Sequence, residues 1–327
     1  MLRSMADRAQ SATLPLPDGQ PPAFCVCVPA RNEAARLQAL LDSLAAQDWP
    51  GVIPVVIAVN NSTDDSLDRI TAARSLHVDR LDIHVAAVDF PAGLAHAGSA
   101  RRLAMTEGLR HLADLRMGIL VSTDADARPP VGWLRAIAAA WARGADLVGG
   151  KIVIDEEREP LPEAVARMRH AWDRYWADVR EIEDRIDPVA WDPAPRHGDH
   201  TGASLAIRAE LYIACGGVPL LPTGEDLALV QAAVAMGGRL AHPADVYVRV
   251  SPRTTGRAQG GMAEAMRLLF QDADAEAPPM APALRHWTAR AAWRREMREH
   301  HDGHARIVQQ EPLLLAMPND MPLEVAR

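Results

Sequence analysis

From residue 23 the chain alternates short apolar runs with longer segments of helical spacing, and that alternation leaves few folds open. "AFCVCVP" reads as a Val-rich strand. "EAARLQALLDSLAAQ" follows, with Leu37, Leu40, Leu41 and Leu44 on one helical face. The pattern then repeats. "VIPVVIAV" is a buried strand with Pro54 near its start, and "DDSLDRITAARSL" a helix with Asp64 as its cap. "LDIHVAAV", "MGILVST" and "DLVGGKIVI" read as further strands, and "GSARRLAMTEGLRHLA" and "GWLRAIAAAWARG" as the helices between them. Strand and helix in this order imply parallel strands joined by right-handed crossovers, an α/β architecture with a mostly parallel sheet flanked by helices. Ligands of such sheets sit outside the carboxyl ends of the strands. That singles out four loops, "PARNEA", "NNSTDD", "DFPAGLAHAG" and "TDADARPP", each following a strand.

The second half is patterned differently. Val165, Met168, Trp172, Trp176, Val179, Ile182 and Ile186 recur at steps of three or four, which predicts a long amphipathic helix over 161–186. A proline-rich loop, "DPVAWDPAPRHGDH", comes next. "ASLAIR", "GEDLALVQAAVAMGG" and "DVYVRV" then read as strand, helix and strand. Beyond about residue 270 the chain is rich in Ala, Pro and Arg and shows no clear organisation. Residues 1–22 are polar and proline-rich and read as a flexible leader.

Composition excludes several classes. The net charge of -8, with no long basic block, does not suit a phosphate-neutralising surface for nucleic acid. No apolar run reaches the ~18 residues of a transmembrane helix, and no signal-peptide core is visible. The three cysteines Cys25, Cys27 and Cys215 make no disulfide framework. Cys25 and Cys27 alternate on one strand face and read as reduced core residues of a cytoplasmic protein.

Two acid pairs carry the chemistry. Asp124 and Asp126 leave the tip of "MGILVST" one residue apart, and Pro129 and Pro130 stop regular structure behind them. Close carboxylates repel unless a cation lies between them. Mg²⁺ or Mn²⁺, which takes hard oxygen ligands and completes its shell with water and phosphate, fits that need. The ordinary alternative is a solvated acidic turn capping the helix at Trp133. Glu225 and Asp226 open another helix, where acids also suit the positive end of the dipole.

The segments "VCVPARNEAARLQALLDSLAAQ", "VIAVNNSTDDS", "GSARRLAM", "STDADARPPVGWL", "TGASLAIR" and "GEDLALV", in this order, resemble the family 2 glycosyltransferases over roughly residues 23–260. The resemblance implies a GT-A fold, Rossmann-like over its first half and mixed on the acceptor side. Residues 23–150 would form the nucleotide-sugar half and 151–260 the acceptor half, with a helical insertion over 160–200. Residues 261–327 would be a helical or irregular extension. It implies a hexosyltransferase type of enzyme with a nucleotide-sugar donor and a divalent cation, Mg²⁺ or Mn²⁺.

Residue by residue, Pro29, Ala30, Arg31, Asn32 and Glu33 match the first nucleotide loop, although Asn32 and Glu33 also suit a helix start. Asn60, Asn61 and Ser62 match the second loop, which in the family usually carries an aspartate. An amide both donates and accepts where a carboxylate only accepts, so the base is left open. Gly98 and Arg101 or Arg102 match the segment beside the diphosphate, where Gly98 would admit the ligand and an arginine would neutralise phosphate. Asp124 would face ribose or metal, and Asp126 the metal. Asp226 would be the general base of an inverting displacement, with Glu225 orienting the acceptor or substituting for it. Arg253 and Arg257, in the glycine-bearing "SPRTTGRAQGG", would reach the diphosphate.

Other groups invite weaker readings. His242 is a candidate to complete a metal site, although a lone histidine is more often structural. His197, Asp199 and His200 fit an acceptor-side role better than a zinc cluster, and His300, His301 and His304 an exposed helix face. Trp172 and Trp176 fit core packing, whereas Trp191 is free to stack on a sugar. Two competitors remain: a nucleotidyltransferase, which would carry a glycine-rich loop where "PARNEAARL" has none, and a non-catalytic binding protein on the same fold, which would have lost its acids. The acceptor is open among small-molecule, carrier-linked and lipid hydroxyls.

Overall fold

The computed structural model describes residues 22–254, 262–275 and 277–326. Its centre is a seven-stranded sheet in the order β3 (Leu81–Val88), β2 (Ile53–Asn60), β1 (Ala23–Ala30), β4 (Gly118–Thr123), β7 (Ser204–Arg208), β5 (Leu147–Gly149) and β8 (Leu240–Ala241). All neighbours run parallel except β7, which is antiparallel to both β4 and β5. The expected α/β class with a mixed second half is thus the architecture observed.

Both sheet faces are covered, which is why the strands read as unbroken apolar runs. Phe24, Val26 and Val28 of β1 face α1 (Leu37–Ala45), α2 (Ser66–Leu76), α4 (Trp133–Ala142) and α5 (Glu163–Ile186). Cys25 and Cys27 face α3 (Ala97–Gly108), α6 (Ala209–Ala214) and α7 (Glu225–Ala235). Both thiols are free and buried, and burial pushes the Cys27 thiol well up. Leu37, Leu40, Leu41 and Leu44 are fully buried, as their spacing predicts.

Several details depart from the sequence reading. "DLVGGKIVI" is two strands rather than one. At Gly149 and Gly150 the backbone passes so close to Asp199, His200 and Ser204 that no Cβ fits. There the chain leaves the main sheet, and β6 (Lys151–Ile154) pairs in parallel with β9 (Tyr247–Val250). Asp64 lies one residue before the N-cap of α2, and its Oδ1 accepts from the Ser66 amide at 3.0 Å. Asn32 does not cap α1, whose N-cap is Arg36.

The C-terminal stretch that lacked a readable pattern is helical. α8 (Met262–Asp274) and α9 (Leu284–Arg298) both lie on α5, and α10 (Gly303–Gln310) lies on α9. Tyr175 on α5 donates to the Pro282 carbonyl at 2.8 Å and accepts from Trp287 Nε1 at 2.7 Å. Trp172 packs against the core, and Trp176 makes an edge contact with Trp287 at 5.6 Å. No helix among the described residues is long and apolar enough to cross a membrane.

α3 is pressed onto the sheet at Gly108, where a Cβ would stand 2.7 Å from Cys27 Sγ and 3.1 Å from Leu120 Cδ2. Alanine favours a helix over glycine by about 1 kcal/mol, but overpacking a filled core costs about 1–3 kcal/mol. Gly108→Ala should therefore be net destabilising in urea unfolding; a gain in midpoint would show that the α3–β1 contact is looser than described.

Candidate active site

The three loops after β1, β2 and β3 are tied together by side chains that replace backbone pairing. Asn32, with φ at 51°, donates its amide to Ser62 Oγ at 3.0 Å and accepts the Thr63 amide on Oδ1 at 2.7 Å. The Glu33 amide donates to Ser66 Oγ, and the Ala34 amide to Asp64 Oδ2, each at 3.0 Å. Asn61, at φ 46°, grips Phe90 by both main-chain groups, its Nδ2 to the carbonyl at 2.9 Å and its Oδ1 from the amide at 3.2 Å. Arg31 Nη1 donates to the Ala95 carbonyl at 3.1 Å. Left-handed backbone at two asparagines suits their short side chains, which bond locally. Pro29 and Ala30 end β1 beneath this cradle.

Asn60 ends β2 with only 2 % of its surface exposed, and its Nδ2 has no hydrogen-bond partner among the described residues. Leaving a buried donor unmatched costs about 1–3 kcal/mol. The Asn60 Nδ2 is thus an uncompensated buried donor at the end of β2.

The acid pairs meet through Arg101 of α3, which is 4 % exposed. Its Nε donates to Glu225 Oε1 at 3.1 Å and its Nη2 to Asp124 Oδ1 at 3.0 Å. Its Nη1 donates to Ser122 Oγ at 2.6 Å and to the Gly202 carbonyl at 2.8 Å. Burial works against the charge of this guanidinium, but Asp124, Glu225 and Asp226 outweigh it and hold Arg101 cationic. Asp226 completes the group, accepting the Gly202 amide on Oδ2 at 2.7 Å. Glu225 and Asp226 open α7 behind its N-cap Gly224, at φ 71°, and Asp226 Oδ1 accepts the Leu227 amide at 2.8 Å.

Asp126 faces a different cation. Arg253 Nη2 lies 2.6 Å from its Oδ2 and 3.5 Å from Glu33 Oε1, linking the loop after β1 to the β4 tip. Burial, then the charge of Asp124, push the Asp126 carboxyl above its ordinary range against the pull of Arg253 and Arg36. Among the described residues no three His, Cys, Asp or Glu side chains converge on a cation position. A metal here would rest on Asp124 and Asp126 and draw its remaining oxygens from water and substrate phosphate. Hard carboxylate oxygens suit Mg²⁺ or Mn²⁺ in that arrangement.

The remaining sequence candidates are placed as follows. Gly98 packs against the Leu221 carbonyl, leaving no room for a Cβ, and thereby admits the chain's own backbone. Arg102 Nη1 donates to the Val218 and Gly216 carbonyls at 2.5 and 3.2 Å, pinning the loop ahead of Glu225. His242 is held by Asp192 and His200 and belongs to no metal cluster. Trp191 contacts His304 and Arg298 rather than standing free. His300 and His301 are exposed, whereas His304 is half-buried. Arg257, Gly256, Gly260 and Gly261 lie outside the described residues. Ser122 and the Gly202 backbone were not singled out in the sequence. Their nearest signal was the polar end of an otherwise apolar strand and a glycine opening "TGASLAIR".

Residues 25–186 match the family model described as Glycosyl transferase family 2. Among solved structures, the mannosyltransferase PcManGT from Pyrobaculum calidifontis, in complex with GDP-Man and Mn²⁺, is 18 % identical. That alignment covers 94 % of this chain and 86 % of that one, with a TM-score of 0.50. TarS residues 1–349 from S. aureus, in complex with UDP-GlcNAc, is also 18 % identical over 90 % of this chain and 76 % of that one, again with a TM-score of 0.50. Both show the same fold. No curated protein sequence matches the chain.

The two cations give opposite stability predictions. Arg101→Met strands Glu225 and Asp124 and should destabilise the fold by about 3–5 kcal/mol, as loss of one partner in a buried ion pair does. Asp126 has a folded pKa above its unfolded one, so its charged form is disfavoured by folding once pH exceeds the folded value. Asp126→Asn should therefore leave the metal-free melting temperature at pH 7–8 unchanged or higher. A fall matching that of Arg101→Met would contradict this electrostatic account.

Proposed function

Because the chain belongs to glycosyl transferase family 2 through residues 25–186, we propose that this glycosyltransferase moves a sugar from a nucleotide-sugar donor to an acceptor hydroxyl by direct displacement with inversion. The observation that carries the reading is Arg101, which bonds Asp124 at the β4 tip and Glu225 at the α7 start in one buried group. Donor-side and acceptor-side acids are thereby within one site.

The nucleotide lies in the cradle of the first three loops. Pro29, Ala30, Arg31 and Glu33 form one wall and Asn60, Asn61 and Ser62 another. The unmatched Asn60 Nδ2 supplies a hydrogen-bond donor to the base or ribose. Arg253 stands between Glu33 and Asp126 and moves onto the diphosphate when the donor arrives. Asp124 and Asp126 would hold a divalent cation, which would supply positive charge against the negative charge gathering on the departing nucleoside diphosphate.

Asp226 takes the proton of the acceptor hydroxyl as the new C–O bond forms, a step that contributes roughly 10²–10⁴-fold. The Gly202 amide, 2.7 Å from Oδ2, keeps one lobe of that carboxylate oriented. Glu225, neutralised by Arg101, sits behind it. Much of the remaining acceleration comes from holding hydroxyl and anomeric carbon in line.

Thermal shift with UDP-GlcNAc, UDP-glucose, GDP-mannose and their nucleoside diphosphates, each with and without Mn²⁺, tests the donor reading. One nucleotide should raise the melting temperature only when Mn²⁺ is present, and Asp126→Asn should abolish that shift. Indifference to the whole panel would reject a nucleotide-sugar site. With the donor known, Asp226→Asn should lower kcat at least 10²-fold with little change in donor affinity, and near-normal turnover would remove Asp226 as the base.

A further inference from the structure

Two cations serve the two acids at the β4 tip, and they are held differently. Arg101 reaches Asp124 from within the core, where Glu225, Ser122 and the Gly202 carbonyl also take its hydrogens. Arg253 reaches Asp126 from the end of β9, with Glu33 at 3.5 Å. Its side chain is 26 % exposed, against 5 % for that of Arg101. Of the two, Arg253 is the one free to let go.

Its contact with Asp126 is nonetheless built by the backbone. Arg128, two residues beyond Asp126, and Arg249, four residues ahead of Arg253, exchange both main-chain hydrogen bonds, at 2.8 and 3.0 Å. Asp155 receives the Arg128 guanidinium and donates its own amide to the Val250 carbonyl at 2.9 Å. Ser251 Oγ donates to Glu159 Oε2 at 2.8 Å. The strand end that carries Arg253 is thereby fixed against the turn that carries Asp126. The guanidinium meets that carboxylate by construction, not by the swing of a surface side chain.

Arg253 Nη2, at 2.6 Å, takes a lone pair of Asp126 Oδ2 that a metal ion would also use. Mg²⁺ sits about 2.0–2.1 Å from its oxygens and needs near-octahedral room around it. A guanidinium on the same carboxylate leaves neither the lone pair nor the space on that side, and like charges so close repel. Water screens little of this, because the side chains of Asp126 and Glu33 are only 13 % and 7 % exposed. We propose that Arg253 is a competing cation for Asp126: it and a divalent ion exclude each other there, and the substrate's diphosphate admits the ion by drawing Arg253 away. This rests on the reading of Asp124 and Asp126 as the cation-binding acids of a nucleotide-sugar site.

The exchange keeps the charges matched. Arg253 leaves one anion for another, since its planar fork suits phosphate oxygens as well as a carboxylate. Asp126 gives up one cation and gains another, while Arg101 holds Asp124 throughout. Metal and diphosphate therefore bind cooperatively, each strengthening the other by the same factor. After transfer the order reverses. As the spent nucleoside diphosphate loosens, Arg253 returns to Asp126 and weakens the grip on the ion, so that the two leave together.

Mn²⁺ titrations of the full-length protein, read from the EPR signal of the free ion, test the competition. Without nucleotide, Arg253→Met should bind Mn²⁺ at least about fivefold more tightly than the wild type, the lower end of coupling between two sites. Arg36, 3.9 Å from Glu33 Oε2, is the control for charge alone, and Arg36→Met should change the affinity far less. No tightening in Arg253→Met, or equal tightening in both variants, overturns the proposal. With saturating UDP or GDP, whichever the thermal shift selects, the wild type should gain affinity for Mn²⁺ and Arg253→Met should gain less. Equal gains overturn it as well.

The wild type gives a second readout. Saturating Mg²⁺ should shift the Arg253 Nε–H resonance, assigned by its loss in Arg253→Lys, and an unmoved signal contradicts displacement. Asp126→Asn separates this proposal from the reading beneath it. Loss of Mn²⁺ binding in Asp126→Asn beside an unchanged Arg253→Met would strike the competition and leave the cation site standing. Wild-type Mn²⁺ affinity in Asp126→Asn would strike the cation site itself, and the competition with it.

Discussion

The site depends on one buried guanidinium. Arg101 lies on the α3 face that packs against β1 and β4, where a lone charge would be strongly disfavoured. It is tolerated because acids from two distant segments and two neutral oxygens surround it, and because Gly202 has no Cβ where the guanidinium lies. Neither acid pair could approach the other without it, since Asp124, Glu225 and Asp226 would face one another across a low dielectric. The charge therefore ties the parallel half of the sheet to the antiparallel β7 and the start of α7. A lysine would not serve, because a single ammonium cannot reach the four directions that the planar fork reaches.

Around that centre, precision comes from side chains bonding to loop backbone. Asn32, Asn61, Ser62, Asp64 and Ser66 close the first three loops on each other with little apolar burial. Loops built in this way are rigid yet leave their outer surface free for a ligand. Among the described residues, the unmatched Asn60 donor and the raised pKa of Asp126 are two places beside these loops where the fold is energetically unsatisfied. Under the proposed function, a bound nucleotide and its cation would relieve both, a common trade between stability and function.

The first half of the fold was legible because each strand is buried on both faces and each helix on one, so periodicity alone separated them. The position of the loops at strand ends followed from the same order. What escaped was decided by tertiary contacts. Nothing local in "DLVGGKIVI" announces that Gly149 and Gly150 turn the chain out of the sheet, since the reason is the approach of Asp199 and Ser204 from fifty residues away. α9 has a weak apolar stripe because its arginines point inward to acids, so a hydrophobic pattern could not reveal it. Arg101 stood out only as one of two adjacent arginines. Its partner Arg102 took the humbler task of holding the Val218 and Gly216 carbonyls. Both were equal by sequence, and only the helix phase separates them.

That inward-facing set of charges bears on the loop that holds Asp226. Glu183 on α5 receives Arg180, Arg196 and Arg294, and Asp187 receives Arg298 from α9. Burial works against ionisation of Glu183, yet the three arginines hold its carboxyl below the usual range. Arg196 belongs to the loop that carries Asp192, His197 and His200, so the network clamps the base of the same loop whose tip presents Gly202 to Asp226. Buried ion pairs are weak sources of net stability, but they penalise alternative arrangements heavily. The C-terminal helices therefore help fix the geometry of the loop that carries Gly202. Arg294 joins Glu183 to Glu311, so the same ion-pair network reaches from the loop before β7 to the segment after α10.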